Sequence, residues 1–522
     1  MLIVQHISKG DTVMRRWLKL SVAMALTASM AAGCSGGGTQ PQAGSKPADS
    51  GKEADPLSEK IGITIMAPAY EGGGWPDKHP VIDELNKKLN IDLKIQWVPS
   101  DNYNEKMGVM AASNSFPDVF RLDINDFLKW RDKGVFLDVK PLLSSYPNLT
   151  KYLSQEALEI GNPKGKIFAL PNYTPETRET LLIRKDWLEK LNLKPPTTLD
   201  ELYNVAKAFA KNDPDGNGKD DTIGYTFAIS NNRSFSRSAD PIRFAFGLAN
   251  EWKDSGGSLI PWQTQTKELK DFLSYLHKMY AEGILDKDFA LNKGQDPDFK
   301  FEANKVGFVD VPATNIYSSG LPNLKKIVPN ADVIQLAPPK GPTGLQGNTT
   351  YAVTNKVVIN AKIDKKKQDR IMMLMDYMLS DEGNKLIKFG VEGTHYKKNG
   401  DKYEKLDAQD KDRPFLISYW LFRRFDPLTT IKLWDDQEMV KKVTALFDEN
   451  KKYAVVNKGA GLYSETFAKS GASLDQKLMG EMVKVIIGEQ PVDAIDKAVE
   501  DWKKGGGDKI IAEINEQYKN SK

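Results

Sequence analysis

After Leu57 the chain alternates short apolar runs with amphipathic stretches, and this alternation constrains its fold more than any other feature. The run "IGITIMAP" from Ile61 reads as a buried strand, and "PVIDELNKKLN" then places Val81, Ile82, Leu85 and Leu89 on one helical face. "IDLKIQWV" alternates Ile91, Leu93, Ile95 and Trp97 as a second strand would. A helix carrying Tyr103, Met107 and Met110, the short strand "PDVFRLD" and the helix "NDFLKWRDKG" continue the series. Strands separated by helices of this length predict a mostly parallel sheet covered on both faces, an α/β fold. The pattern restarts after residue 177, and the strand "YAVTNKVVIN" leads into "DRIMMLMDYMLS", whose methionines at helical spacing read as core. Two C-terminal helices, "VDAIDKAVEDW" and "KIIAEINEQY", are divided by Gly505–Gly507.

The first residues follow a different rule. Arg15, Arg16 and Lys19 precede an apolar stretch from Leu20 to Gly33 of 14 residues. A bilayer needs about 20 apolar residues, so this stretch suits a secretory signal and not a span. It ends at Ala31-Ala32-Gly33 before Cys34, the only cysteine in the chain, which therefore has no internal disulfide partner. The arrangement resembles the lipobox of bacterial lipoproteins and implies that Cys34 carries lipid (palmitate among its acyl groups) as the mature N-terminus. The basic region begins at Met14, so residues 1–13 are expected to be an over-called start. Residues 1–33 carry all of the chain's formal charge of +3, which leaves a mature protein near neutrality. No basic excess remains for nucleic acid or a phospholipid surface. Residues 34–57, rich in Gly, Ser, Pro and Lys, read as a flexible tether. The body beyond it, about 465 residues, exceeds one typical domain.

The densest chemistry lies in "DPDGNGKDD". Asp213, Asp215 and Asn217 stand at alternate positions, Gly218 follows, and Asp221 lies at loop position nine. A calcium ion takes six to eight oxygens at about 2.3–2.6 Å, and this is most of a D-x-[DN]-x-[DN]-G loop. The Lys219 carbonyl can add an oxygen, but position twelve is Gly224 and not the bidentate Glu of an EF-hand. Thr198 and Glu201 form a capping box for the helix before the loop, and "IGYTFAIS" after it reads as a strand. The expectation is a structural Ca2+ clip between helix and strand.

The segments "GKIFALPNY", "LLIRKDWLEKLNLKPPTTLDELYNVAKAFAKNDPDGNGKDD", "YMLSDEGNKLIKFGVEGTHY" and "DWKKGGGDKIIAEINEQY" together resemble extracellular solute-binding proteins of family 1. They are most similar to the large lipoprotein members related to alginate-oligosaccharide-binding proteins. The resemblance implies two α/β lobes joined by a multi-crossing hinge and closing over a carbohydrate. It implies delivery to the permease and ATPase of an ABC importer from the outer face of the bacterial membrane, by a monomer. It carries calcium ligands onto Asp213, Asp215, Asn217, Lys219 and Asp221, with Thr222 where some members have a further acidic ligand. The expected lobes are 58–175 plus about 350–400, and about 176–349 plus about 401–522, with passages near 173–180, 345–352 and 400–415.

Mature histidines are His79, His277 and His395, none spaced as a metal pair. No G-x-S-x-G, H-E-x-x-H or phosphate-loop motif occurs, which favours a binder over an enzyme. A carboxylate-pair glycosidase or lyase is the enzymatic alternative, and a ligand sensor feeding a signalling partner is the other. A sugar site needs flat apolar faces and planar polar groups. "APAYEGGGWP" offers Tyr70 and Trp75 after the first strand, where α/β sheets bind ligands. "ALPNYTPE" offers Asn172 and Tyr173, and "ISYWLFRRFDP" offers Tyr419, Trp420, Arg423 and Arg424, the arginines suiting a uronate carboxylate. Trp252 and Glu392 complete the candidates.

Overall fold

A computed structural model describes residues 57–69, 78–172, 177–230, 233–350, 355–400, 402–412, 415–416, 422–424 and 436–521. Cys34 and the candidates Tyr70, Trp75, Tyr173, Tyr419 and Trp420 lie outside the described residues. No described helix is long and apolar enough to cross a membrane.

The first lobe is built on β1 (Ile61–Ala69), β2 (Ile91–Pro99), β3 (Val119–Asp123) and β4 (Ala169–Asn172), joined by the strand Asn355–Ile359. Their order is β2-β1-β3-(355–359)-β4. β1 runs parallel to β2 from Ile61 opposite Ile91 to Ala69 opposite Pro99, and parallel to β3. The strand 355–359 runs antiparallel to both of its neighbours, setting Asn355 opposite Asp123 and Asn172. Helix α1 (Pro80–Leu89) starts where the His79 ring accepts the Val81 N–H and stops at Asn90 in the left-handed conformation. Its Val81, Ile82, Leu85 and Leu89 are buried on one face of the sheet with Ile371, Met372, Met375 and Met378 of the helix Lys365–Leu379. The methionine-rich helix is thus core, as its spacing predicts. Met66, Phe120, Phe127 and Val358 fill the opposite face.

The second lobe departs from the expected strand direction. Its sheet has β5 (Glu179–Arg184) at the centre, with Phe308–Pro312 and Val333–Gln335 antiparallel on either side. The helices after β5 do not return the chain to the starting edge. It re-enters at Gly307, beside Arg184, and runs back down β5. Periodicity shows that strands and helices alternate but not from which end each strand is entered. The main core packs Trp187, Phe209, Phe227, Phe272 and Phe289 among the helices Leu199–Lys211, Thr266–Ala281 and Ala472–Ile487. The expected strand "IGYTFAIS" is reduced to single bridges at Ile223 and Tyr225 and the two residues Ile229–Ser230. The C-terminal helices bend at Gly506, whose φ of 142° only glycine adopts readily.

The chain passes between the lobes after Asn172 and again between Thr349 and Asn355. The third passage falls later than 400–415. Phe415, Leu416 and Phe422 pack in the first lobe's core, and the second lobe resumes with the helix Gln437–Asn450 against Ala313. These three large apolar side chains place Phe415, Leu416 and Phe422 in the first lobe and not with the second.

Candidate functional site

Two asparagines of the second lobe pin the passages. Asn250 Nδ2 donates to the carbonyls of Thr350 at 2.9 Å and Val455 at 2.8 Å. Asn450 Nδ2 donates to Thr180 Oγ1 at 2.7 Å, and Gln335 Nε2 donates to Asn450 Oδ1 at 3.0 Å. Buried amides saturated this way fix where each passage leaves the lobe.

The described carbohydrate candidates are not gathered into one site. Asn172 is buried at the end of β4, opposite Asn355, at the first passage. Trp252 is half-buried, with its indole laid over Gly459, where a Cβ would stand 2.7 Å from the ring. Glu392 is exposed, with its carboxylate 3.8 Å from Lys385. Arg423 is half-buried next to Phe422. The Arg424 guanidinium lies 4.0 Å from the centre of the Tyr152 ring, donates to the Leu379 carbonyl at 2.5 Å and pairs with Asp381. Its charge is engaged at the start of the helix Asp381–Phe389, away from the role of a uronate ligand.

A groove that the motifs do not mark lies on the second lobe, at the end of its sheet nearest the first passage. The Ala313 N–H, just past the strand Phe308–Pro312, donates to the Arg178 carbonyl. Beside it Gln295, Asp298, Phe299, Glu302, Asn315 and Ser319 line a cavity of about 120 Å³. Phe299 exposes 55% of its surface there. Asp298 Oδ2 accepts from Arg237 Nη2 at 2.6 Å, whereas its buried Oδ1 has no hydrogen-bond partner among the described residues. Burial pushes the Asp298 carboxyl up to about 6, with Arg237 opposing the rise. The sequence signal is an aromatic on the solvent side of the short acidic helix Asp296–Glu302, whose Pro297 and Phe301 face inward.

Two further places in the first lobe hold buried ionisable groups. Lys356 is 0% exposed on the strand 355–359, and its Nζ has one long hydrogen bond, 3.4 Å, to the Ala157 carbonyl. Burial pushes this amine down to about 7. His79, His395 and Asp412 bring three potential metal-ligand atoms within 4.8 Å of one another. No sequence spacing joins them. Their hydrogen bonds nevertheless oppose a metal. His79 Nδ1 accepts the Val81 N–H at 3.2 Å, and His395 Nδ1 accepts the Val391 N–H at 2.9 Å. Each neutral ring therefore carries its proton on Nε2, the atom facing Asp412, where a metal would need a lone pair. The group is a clamp holding α1, the turn at Val391 and the segment at Asp412 together.

The loop 213–221 has oxygen donors suited to a hard cation. Asp213 Oδ1 accepts from the amides of Gly216 and Asn217, and Oδ2 from Gly218 at 3.0 Å. Gly216 and Gly218 both have φ of 75°, which lets the backbone curl around that carboxylate. Burial and then the neighbouring Asp213 raise the Asp215 carboxyl, so two carboxylates compete for one place unless a cation or proton lies between them. Asn217 Nδ2 joins Asp215 and Asp221, and Lys305 Nζ lies 2.6 Å from Asp221 Oδ2. The set Asp213, Asp215, Asn217, Lys219 carbonyl and Asp221 fits calcium in donor chemistry. Gly224 is required by packing: a Cβ there would meet the Ala206 carbonyl oxygen at 2.4 Å, which explains why no glutamate closes the loop. Thr222 gives its hydroxyl to the Phe209 carbonyl at 2.7 Å and so serves the fold.

The model of the family "Bacterial extracellular solute-binding protein" matches residues 75–385. Lipoprotein LipO of Bacillus subtilis (strain 168) is 30% identical over 520 residues, covering 97% of this chain and 99% of the relative. Polygalacturonan/rhamnogalacturonan-binding protein YtcQ of the same strain is 29% identical over 530 residues, with the same coverage. The structure of alginate-binding protein AlgQ2 without calcium ion superposes with a TM-score of 0.65 at 21% identity, covering 90% of this chain and 100% of that one. It shares the fold. Two α/β lobes joined by three passages, and a family match across most of the chain, make this protein a member of the bacterial extracellular solute-binding proteins.

Proposed function

We propose that the protein is a lipid-anchored receptor on the outer face of the cell membrane that captures an oligosaccharide between its lobes. It then presents the loaded form to the permease of an ABC importer, and through it to an ATPase. The observation that carries this reading is the three-passage hinge in a member of the solute-binding family. Lobes joined several times can rotate about their passages but cannot separate, which is the motion that sequesters a ligand. The groove of Gln295, Asp298, Phe299 and Asn315 supplies the second lobe's share of the contacts, an aromatic face beside planar polar groups. Asn172 and the aromatic residues Tyr70, Trp75, Tyr173, Tyr419 and Trp420 would supply others.

In this reading Cys34 carries the lipid and residues 35–57 form the tether. Asp213, Asp215, Asn217, the Lys219 carbonyl and Asp221 hold one calcium ion, which fastens the helix Leu199–Lys211 to the segment after it. The ion supplies charge neutralisation to the loop and takes no part in ligand chemistry. The protein binds sugar without cleaving it.

Calorimetric titration of the full chain with polygalacturonan, rhamnogalacturonan and alginate oligosaccharides tests the reading, with chromatography of the sugar afterwards. Saturable binding of at least one, recovered intact, is the expected result. Cleavage of a bound sugar would replace the receptor with a glycosidase or lyase, and no binding across such a panel would count against an oligosaccharide ligand.

A further inference from the structure

Leu462 and Tyr463 are adjacent in the chain, yet they pack into different lobes. Leu462 lies against the second lobe's main core, and the Tyr463 ring lies against the first-lobe core of Phe120, Phe127 and Val358. The segment that carries them, residues 457–463, is fastened to the second lobe on both sides. The Lys458 N–H donates to the Trp252 carbonyl at 3.0 Å, and Gly459 lies under the Trp252 indole. Gln517 of the C-terminal helix grips the Tyr463 backbone at both polar atoms, accepting its N–H at 3.1 Å and donating to its carbonyl. Just beyond, Thr466 Oγ1 donates to Glu513 Oε1 at 2.7 Å.

Between these anchors the segment reaches the first lobe by backbone. A Cβ on Gly461 would stand 2.7 Å from the Gly161 nitrogen, and one on Gly161 would stand 2.8 Å from Ile124 Cδ1. Two glycines with positive φ, 81° and 76°, therefore stack between the segment and the helix Ile124–Trp130. Arg131 Nη1 holds the Gly161 carbonyl at 2.9 Å, so the first-lobe side of the contact is itself fixed. A short loop with rigid ends, a backbone-to-backbone approach and one aromatic inserted across the division has the parts of a latch.

We propose that residues 457–463 form a strap from the second lobe that holds the first through Gly461 and Tyr463, and so sets how often the cleft opens without ligand. The strap is fastened to the second lobe and only touches the first, so a rotation that carries Gly161 away from Gly461 breaks the Gly461–Gly161 and Tyr463 contacts while the three passages stay intact. Half-burying one aromatic ring is worth about a tenfold change in the ratio of open to closed forms. The consequence for ligand affinity rests on the proposed cleft site, because apparent affinity scales with the fraction of molecules in the competent arrangement.

Small-angle neutron scattering of the full chain in contrast-matched detergent, without any sugar, tests the strap independently of the ligand. Tyr463→Ala should enlarge the radius of gyration, and Tyr463→Phe should restore it, because the ring and not the hydroxyl makes the contact. Gly461→Ala, which forces a methyl against Gly161, should enlarge it as well while the Gln517 grip remains. A radius equal to wild type in both Tyr463→Ala and Gly461→Ala would overturn the proposal, as would a fall in melting temperature with no change in radius. Either result leaves the oligosaccharide reading standing, since no sugar enters the measurement.

Discussion

The Nε2–H of His395 donates to Asp412 Oδ2 at 3.0 Å, and His79 presents its own Nε2 to the same oxygen at 3.2 Å. Both imidazoles are buried, and Phe415 stacks on His79 with ring centres 3.8 Å apart. One carboxylate oxygen thus serves two rings from segments more than three hundred residues apart.

Acid should loosen this clamp. Burial lowers the His79 pKa below 6.5, with Asp412 opposing and His395 reinforcing the shift. A histidine depressed in the folded state contributes stability that is complete above the unfolded value and is lost as pH falls through the folded one. Melting temperature should therefore fall as pH drops below about 6.5. His79→Asn keeps a helix-capping side chain but removes the titration, so its melting curve should depend less on pH over that window. Asp412→Ala strands the buried Nε2–H of His395 and should cost about 1–3 kcal/mol at neutral pH. Equal pH profiles for wild type and His79→Asn would show that the proton enters elsewhere.

Lys356 yields a prediction of opposite chemistry. Its folded pKa of about 7 lies well below the unfolded value of about 10.4, so the unfolded chain binds the extra proton between these limits. Stability from this site should rise with pH across that range. Lys356→Met, similar in length and apolar, should stabilise the protein at pH 7 by as much as ~4 kcal/mol, the gain shrinking toward pH 10. Urea titrations of both proteins at the two pH values measure the difference. A destabilised Lys356→Met would mean that the amine has a function that the Ala157 carbonyl alone does not reveal.

Chelation addresses the 213–221 loop. Calcium bound only to the native state stabilises by RT ln(1 + [Ca]/Kd), about 2.7 kcal/mol at a hundredfold excess over Kd. Added chelator should lower the melting temperature of wild type and leave Asp213→Ala/Asp215→Ala unchanged. Elemental analysis of the purified protein should then find one calcium ion per chain. A loop that melts identically with calcium and with chelator is an acidic turn closed by Lys305 and its own amides.

Much of the first lobe was legible because burial on both sides of a sheet leaves a plain periodic record. β1, α1 and β2 appear where alternation and helical spacing put them, and the Thr198–Glu201 capping box forms in full. Strand direction in the second lobe was not legible, since β5 carries the same apolar run whichever way its partners run. The segment 401–424 misled for a similar reason: Phe415 and Phe422 announce burial but not the lobe that buries them. The His79–His395–Asp412 group was invisible because its members come from three separate segments. The candidate arginines illustrate the converse. Arg424 reads as a free cation in sequence, yet Asp381 and Tyr152 occupy it.

The second-lobe groove gives the last prediction, because its chemistry fixes a pH dependence for binding. An ionised carboxylate accepts a sugar hydroxyl; a protonated one with its proton engaged elsewhere accepts poorly. Asp298 has an orphaned Oδ1 and a carboxyl pushed up to about 6, so the accepting form prevails above that pH and declines below it. Affinity for a rhamnogalacturonan or alginate oligosaccharide that binds at pH 7.5 should therefore weaken at pH 5. Asp298→Asn retains an acceptor oxygen without the titration, so its affinity should be lower at pH 7.5 and flat with pH. Phe299→Ala removes the exposed ring and should weaken binding by roughly 1–2 kcal/mol, about the value of one aromatic contact, while melting stays near wild type because the ring covers no core. Titration calorimetry of the three proteins at both pH values separates these effects. If Phe299→Ala and Asp298→Asn both bind as wild type does, the second lobe contributes its contacts from some other surface, and the groove between Asp296–Glu302 and Asn315 is only a seam in its packing.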